Sequence, residues 1–264
     1  MKYDAKCVSA SSNTPLTSPN TGYDTYNNGS PCVSPADYVA SAPTGYPIAN
    51  IDHTDAVTYC GDIGAHLIRN DEYMTIADNI SGVSSNWSGG SVGNGYLYSG
   101  HNDNVPADAL QASTDDTQAY YVETNQGGNQ RRTLTLSNNN VIWDLAGNVW
   151  EHVQRSTNDS GDNTNTMSVP SCTGGGGWNW CEFTNISGWT SDVTQQESAP
   201  SNNSWNSAEG VGQVYTDGAG GNQGTTVFIR GGDWSIGSDD GAFTLYLHWG
   251  TGDTGNNVGF RCAR

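Results

Sequence analysis

Serine, histidine, cysteine and carboxylate side chains could do chemistry in this chain, and their spacing decides which chemistry is open to them. Gly89, Ser91 and Gly93 match the Gly-x-Ser-x-Gly nucleophile elbow, which would present a serine hydroxyl for acyl transfer from a sharp strand-to-helix turn. No apolar strand precedes the motif and its neighbourhood is saturated with Gly and Ser, so a chance match in a turn is the better reading. The five histidines are scattered: His53 and His152 lack a ligand-spaced partner, and His66 is expected to pack after a helix. Asp159, Asp162 and Asn163 could gather oxygens around a structural calcium ion, but the regular ligand ladder of an EF-hand is missing, which favours a solvated loop. The six cysteines, Cys7, Cys32, Cys60, Cys172, Cys181 and Cys262, include no Cys-x-x-Cys spacing and no adjacent histidine pair. A disulfide framework fits them better than a zinc site or a thiol nucleophile, and implies an oxidising location.

The elements that must position these residues are modest. A chain of 264 residues with 34 Gly, 9 Trp and 13 Tyr reads as loop-rich, with a core leaning on aromatics rather than on aliphatic helices. Residues 1–47 read as an irregular N-terminal extension, rich in Ser, Thr, Asn, Pro and Gly and stapled onto the domain. Thr54 is placed to cap a short helix through Ile63 that buries Ala56, Val57, Cys60 and Ile63; a second helix starting at Asn70 buries Tyr73, Ile76, Ala77 and Ile80. Alternation over residues 132–136 and 141–143, around Ser137 and three asparagines, predicts a hairpin. Residues 156–224 form a long polar insertion, and residues 226–230, 242–248 and 258–263 read as strands. In the second of these strands Phe243, Leu245 and Leu247 point inward while Thr244, Tyr246 and His248 point outward. The sum is an α+β pattern.

Nine Lys and Arg against 27 Asp and Glu give a net charge of -18, which repels phosphate backbones and anionic membrane surfaces. Nucleic acid is therefore not an expected partner. No apolar run approaches the roughly 18 residues of a spanning helix, so membrane insertion is not expected, and residues 1–7 lack the apolar core of a signal peptide.

Four segments in order carry a resemblance: AVTYCGDIGAHL at 56–67, DLAGNVWE at 144–151, RGGDW at 230–234 and VGFRCAR at 258–264. They resemble the formylglycine-generating-enzyme type of C-type lectin fold over residues 48–264. That resemblance implies small antiparallel sheets, two short helices and long irregular insertions. The residues also make sense as scaffold: Gly147, Gly231 and Gly232 permit unusual backbone geometry, and Trp143, Trp150, Trp234 and Phe260 supply apolar faces. Arg230 and Arg261, rare cations in an acidic chain, are expected to pair with buried carboxylates such as Asp144 or Glu151. Members of the superfamily commonly bridge the helix cysteine to the terminal strand, implying Cys60 with Cys262; Cys172 with Cys181 and Cys7 with Cys32 then follow by proximity.

The resemblance supplies no chemistry. The oxidase branch needs a copper-binding cysteine pair shortly after its RGGSW-like segment, and residues 233–260 contain no cysteine. Related iron-dependent sulfoxide synthases need His-x-x-x-His-x-Glu, which is absent, as are the Glu-Pro-Asn, Gln-Pro-Asp and Trp-Asn-Asp motifs of calcium-dependent sugar lectins. A sulfatase-modifying-factor-like enzyme and a sugar lectin are thus the alternatives, not the leading expectation.

Residues 230–264 are similar to the variable region of proteins diversified by retroelements, a branch of the same fold that keeps RGG, W, GS, G-F-L-L and GFRCA as a frame. Such regions vary where the template tends to encode Asn, and adenine-directed mutation of an Asn codon yields Asp, Ser, Ile, Tyr, His or Gly among others. Asp233, Ser235, Ile236, Asp239, Tyr246, His248 and Asp253 fall in that set. Asp240, Thr251, Gly255 and Asn256 extend it, and Trp249 joins only from another template codon. Aromatics and small polar residues on loops over a rigid sheet resemble paratope chemistry. The resemblance implies a display protein on a virion tail or cell surface, binding a protein or glycan on a host or neighbouring cell through Asp233, Ser235, Ile236, Asp239, Asp240, Tyr246, His248, Trp249 and Asp253.

Overall fold

The computed structural model describes residues 1–15, 32, 37–117, 130–155, 166–174, 176–217, 221–225 and 227–264. Asp159, Asp162 and Asn163 lie outside the described residues. The architecture is α+β: two helices and several small sheets around a mixed six-stranded sheet.

Helix α1 runs His53–Asp62 and α2 runs Asn70–Ser81. The cap of α1 is Asp52 rather than Thr54, because its carboxylate accepts the Asp55 backbone N–H at 2.8 Å. Its buried face is His53, Ala56, Tyr59 and Cys60, so Val57 and Ile63 are only half-buried. On α2 the core side is Tyr73, Met74, Ala77 and Ile80, with Ile76 at the margin. The predicted hairpin forms from Thr133–Thr135 and Val141–Trp143.

Strand order in the central sheet is Trp178–Cys181, Val214–Asp217, Leu245–Tyr246, Phe228–Arg230, Trp150–Val153, Val258–Phe260. Two of its pairings are parallel, Val214–Asp217 with Leu245–Tyr246 and Trp150–Val153 with Val258–Phe260, so the sheet is mixed where small antiparallel sheets were expected. The first two strands come from the segment read as a polar insertion; it extends the sheet because Val214 and Thr216 face the core while Trp180 and Tyr215 face outward. Beneath the sheet, Val153, Phe228, Val214 and Leu245 join the main apolar cluster with Tyr73, Ala77 and Phe243.

Residues 1–47 are less irregular than their composition suggests. Ala5–Ser9 pairs with both Thr14–Pro15 and Asp37–Ser41. Lys2 and Ala5 carbonyls accept the backbone N–H groups of Trp143 and Ile48, tying this sheet to the rest. Three disulfides join Cys7 to Cys32, Cys60 to Cys262 and Cys172 to Cys181, with Cα separations of 5.7, 5.5 and 6.2 Å. Among the described residues no helix is long and apolar enough to cross a membrane.

Candidate functional site

The framework beneath the site is ionic as well as apolar. Arg261, fully buried, donates to both carboxylate oxygens of Glu151 at 2.7 and 2.8 Å and to Asp4 at 2.7 Å. Arg132 forks onto Asp144 with two bonds of 2.7 Å. Burial pushes Asp4 up to about 6 and Lys6 down to about 8. Arg230 corrects the expected pairing: among the described residues it meets no carboxylate but donates to Asn70 Oδ1 at 2.9 and 2.7 Å and to the Glu197, Ser198 and Phe243 carbonyls. Desolvation lowers its pKa to about 10.

Turns built on Gly231 and Asn148 hold this frame close. Gly231 sits at φ +88°, and a Cβ there would lie 2.7 Å from the Leu145 carbonyl oxygen. Asn148, at φ 71°, accepts the Leu110 N–H through Oδ1 at 2.7 Å and donates through Nδ2 to Asp4 at 3.0 Å.

On the outer face of the sheet lies a cleft of about 300 Å³. Each of the six strands contributes one lining side chain: Trp180, Tyr215, Tyr246, Ile229, Trp150 and Val258. Register explains the row. Trp180 pairs with Tyr215, Tyr215 with Tyr246, Tyr246 with Ile229, and Trp150 with Val258, so period-two alternation puts all six on one face. Tyr215 and Tyr246 stack at 4.6 Å with rings 5° apart, and Trp150 and Trp180 at 6.2 Å with rings 6° apart. Loop residues Asp233, Ser235, Ile236, Trp249 and Asn257 complete the lining.

The residues expected to vary do not all behave alike. Ser235, Ile236, Tyr246 and Trp249 gather in the cleft with solvent-accessible surface, and exposed His248 extends the patch, its ring 4.4 Å from that of Trp178. Asp233 lines the cleft but is buried, a correction to its expected exposure: its Oδ1 accepts Ser235 N at 2.6 Å and Ser235 Oγ at 2.8 Å, and Asn257 and Trp150 hold the carboxylate as well. Burial raises its pKa while these donors pull it back. Asp240 is also a correction, fully buried beneath the turn, accepting from Asn102 at 3.2 Å and pushed well above the usual carboxylate range by desolvation. Asp239 is half-buried outside the cleft, its carbonyl accepting the Thr244 hydroxyl at 2.8 Å. Thr244, expected outward, is buried with its hydroxyl turned to that carbonyl, and regular strand is confined to Leu245–Tyr246. Asp253 is exposed on the adjoining turn, accepting Gly250 N–H at 2.7 Å.

Trp178, Trp180, Tyr215 and Trp150 were not among the candidate residues. The Trp178-Asn-Trp180 alternation beside Cys181 is the signal that could have raised the first two. His53 and His152 do meet, edge to face at 5.7 Å, on the covered end of the same sheet face. His152 donates Nε2–H to the Ile51 carbonyl at 3.0 Å, and burial with the neighbouring ring holds its pKa down at about 3. Ser91 lies in an exposed turn, as the elbow's poor context implied. A copper centre of the family kind needs two thiols, and all six cysteines are in disulfides, so the residues present do not fit it.

No curated protein matches the chain. A family model described as the sulfatase-modifying factor enzyme 1-like domain matches residues 19–264, the span that holds both helices, the central sheet and the cleft. The chain belongs to that family, FGE-sulfatase.

Proposed function

We propose that this chain is a binding protein diversified by a retroelement, displayed on a virion tail or cell surface, which recognises a host or environmental macromolecule through the aromatic cleft and does not catalyse a reaction. The observation that carries the reading is the convergence of Ser235, Ile236, Tyr246 and Trp249, with His248 alongside, on one accessible patch over a buried frame. Exchange of these side chains leaves Arg261, Glu151 and Phe243 untouched beneath them. Such a separation is what a diversified surface requires.

The DNA flanking the gene tests the retroelement part. A reverse transcriptase gene and a template repeat matching the codons for residues 230–264, with adenines at the codons for Ser235, Ile236, Tyr246 and His248, is the expected finding. Their absence overturns it.

Family membership favours a second reading, an enzyme of the sulfatase-modifying-factor kind. With every cysteine in a disulfide, the cysteine-dependent oxidation of that family has no thiol pair to work with. Metal analysis of the full chain and an oxidation assay on a cysteine-containing peptide separate the readings; turnover would establish the enzyme.

A further inference from the structure

The cleft is rich in π-faces, and the polar groups at its floor are tied to one another. Asp233 at its floor is tied to Ser235, Asn257 and Trp150, so the polar groups there already serve one another. A sugar needs several convergent donors and acceptors, and a cavity of about 300 Å³ has room for one long side chain rather than an oligosaccharide.

Charge points the same way. All nine Lys and Arg residues lie among the described residues, and none lines the cleft. Asp233 is the one carboxylate of the lining; burial raises its pKa while the Ser235, Asn257 and Trp150 donors pull it back, and Asp253 lies close enough to Tyr246 to act on its hydroxyl. The whole chain carries -18, which draws cations toward it. Aromatic faces add a negative quadrupole, most effective for guanidinium, which is planar, weakly hydrated and stacks.

The geometry points to an arginine side chain of a protein ligand as the group that the cleft takes, seated against Trp180, Tyr246 and Trp249 above the Asp233 carboxylate. This assignment rests on the binding reading given above and names its partner chemistry. The aromatic wall supplies contact and cation–π attraction; the buried Asp233 carboxylate, already oriented by Ser235, Asn257 and Trp150, lies beneath it and acts through space.

The test uses the full chain, intrinsic tryptophan fluorescence, and three probes: N-acetyl-arginine amide, its neutral isostere N-acetyl-citrulline amide, and a methyl glycoside panel. Expected is saturable binding of the arginine probe in about the millimolar range, with citrulline weaker by at least about tenfold. Trp249→Ala should weaken the arginine probe about fivefold or more, and Asp233→Asn should narrow the arginine-to-citrulline ratio. Equal binding of arginine and citrulline, or glycoside binding without arginine binding, overturns the cation assignment while leaving the cleft a binding site. No binding by any probe overturns the assignment too. The diversification reading fails separately, on the flanking DNA. The isosteric probe pair decides the question on the unaltered chain, even where a variant folds poorly.

Discussion

On the inner side of the central sheet Arg261, Glu151 and Asp4 are buried and bonded to one another; on the outer side Tyr246 and His248 reach solvent and are held by ring contacts. Glu151 and Tyr246 belong to strands of one sheet, yet the two groups differ in what their loss leaves behind. Removing Arg261 strands two carboxylates in a place water does not reach, whereas removing His248 exposes a neighbouring ring to solvent. Exchangeability is thus a matter of who is left unsatisfied, not of distance along the chain.

The comparison can be broken from its stiffest point outward. Cys60 and Cys262 close a loop over a sequence separation of 202, and the chain-entropy model puts the loss from the double Ser variant at roughly 5 kcal/mol. Equilibrium denaturation should show that loss, and a value near zero would mean the terminal strand is held by other contacts. Arg261→Ala should cost about 3–5 kcal/mol by the same measurement, because Glu151 and Asp4 are then buried without their cation.

A smaller effect follows from His152. Its folded-state pKa of about 3 lies below the ordinary 6.5, so the unfolded chain takes up the proton first and stability present above pH 6.5 is lost as pH falls toward 3. At pH 5 the loss is about 2 kcal/mol. Asp4, raised to about 6, works in the opposite sense between that value and 3.8, so the informative quantity is the difference between the wild type and His152→Gln. The variant should lose less stability than the wild type between pH 7.5 and 5; parallel slopes would assign the acid sensitivity elsewhere.

The smallest effects belong to the cleft. Tyr246→Ser should cost about 1 kcal/mol through lost stacking on Tyr215, and His248→Ser less than about 0.5 kcal/mol. Losses as large as that of Arg261→Ala would erase the contrast between the two faces.

Much of this was legible in local pattern. The two helices, the hairpin around Ser137, the three disulfide pairs and the alternation of Leu245 against Tyr246 follow from spacing or from the family resemblance, and all appear in the fold. Asp233 and Asp240 were misread because a codon argument speaks of what can be exchanged at a position, not of whether Asn257, Ser235 or Asn102 wraps around it. Arg230 was misread for a related reason: carbonyl oxygens and Asn70 from distant segments can satisfy a guanidinium as a carboxylate would, and nothing in the neighbourhood of Arg230 announces them.

By itself the sequence determined the frame: which residues alternate, where glycine lets the backbone turn, which cysteines can bridge, and which sign of charge the surface carries. Tertiary structure alone decided that Trp180 and Tyr215, from a stretch that reads as polar insertion, stand beside Tyr246 and Trp150 to form one cleft. The physical reason is that alternation is a property of neighbours in the chain, while strand order and register join residues up to about a hundred positions apart, and burial of Val214 and Leu245 together is what selects that register.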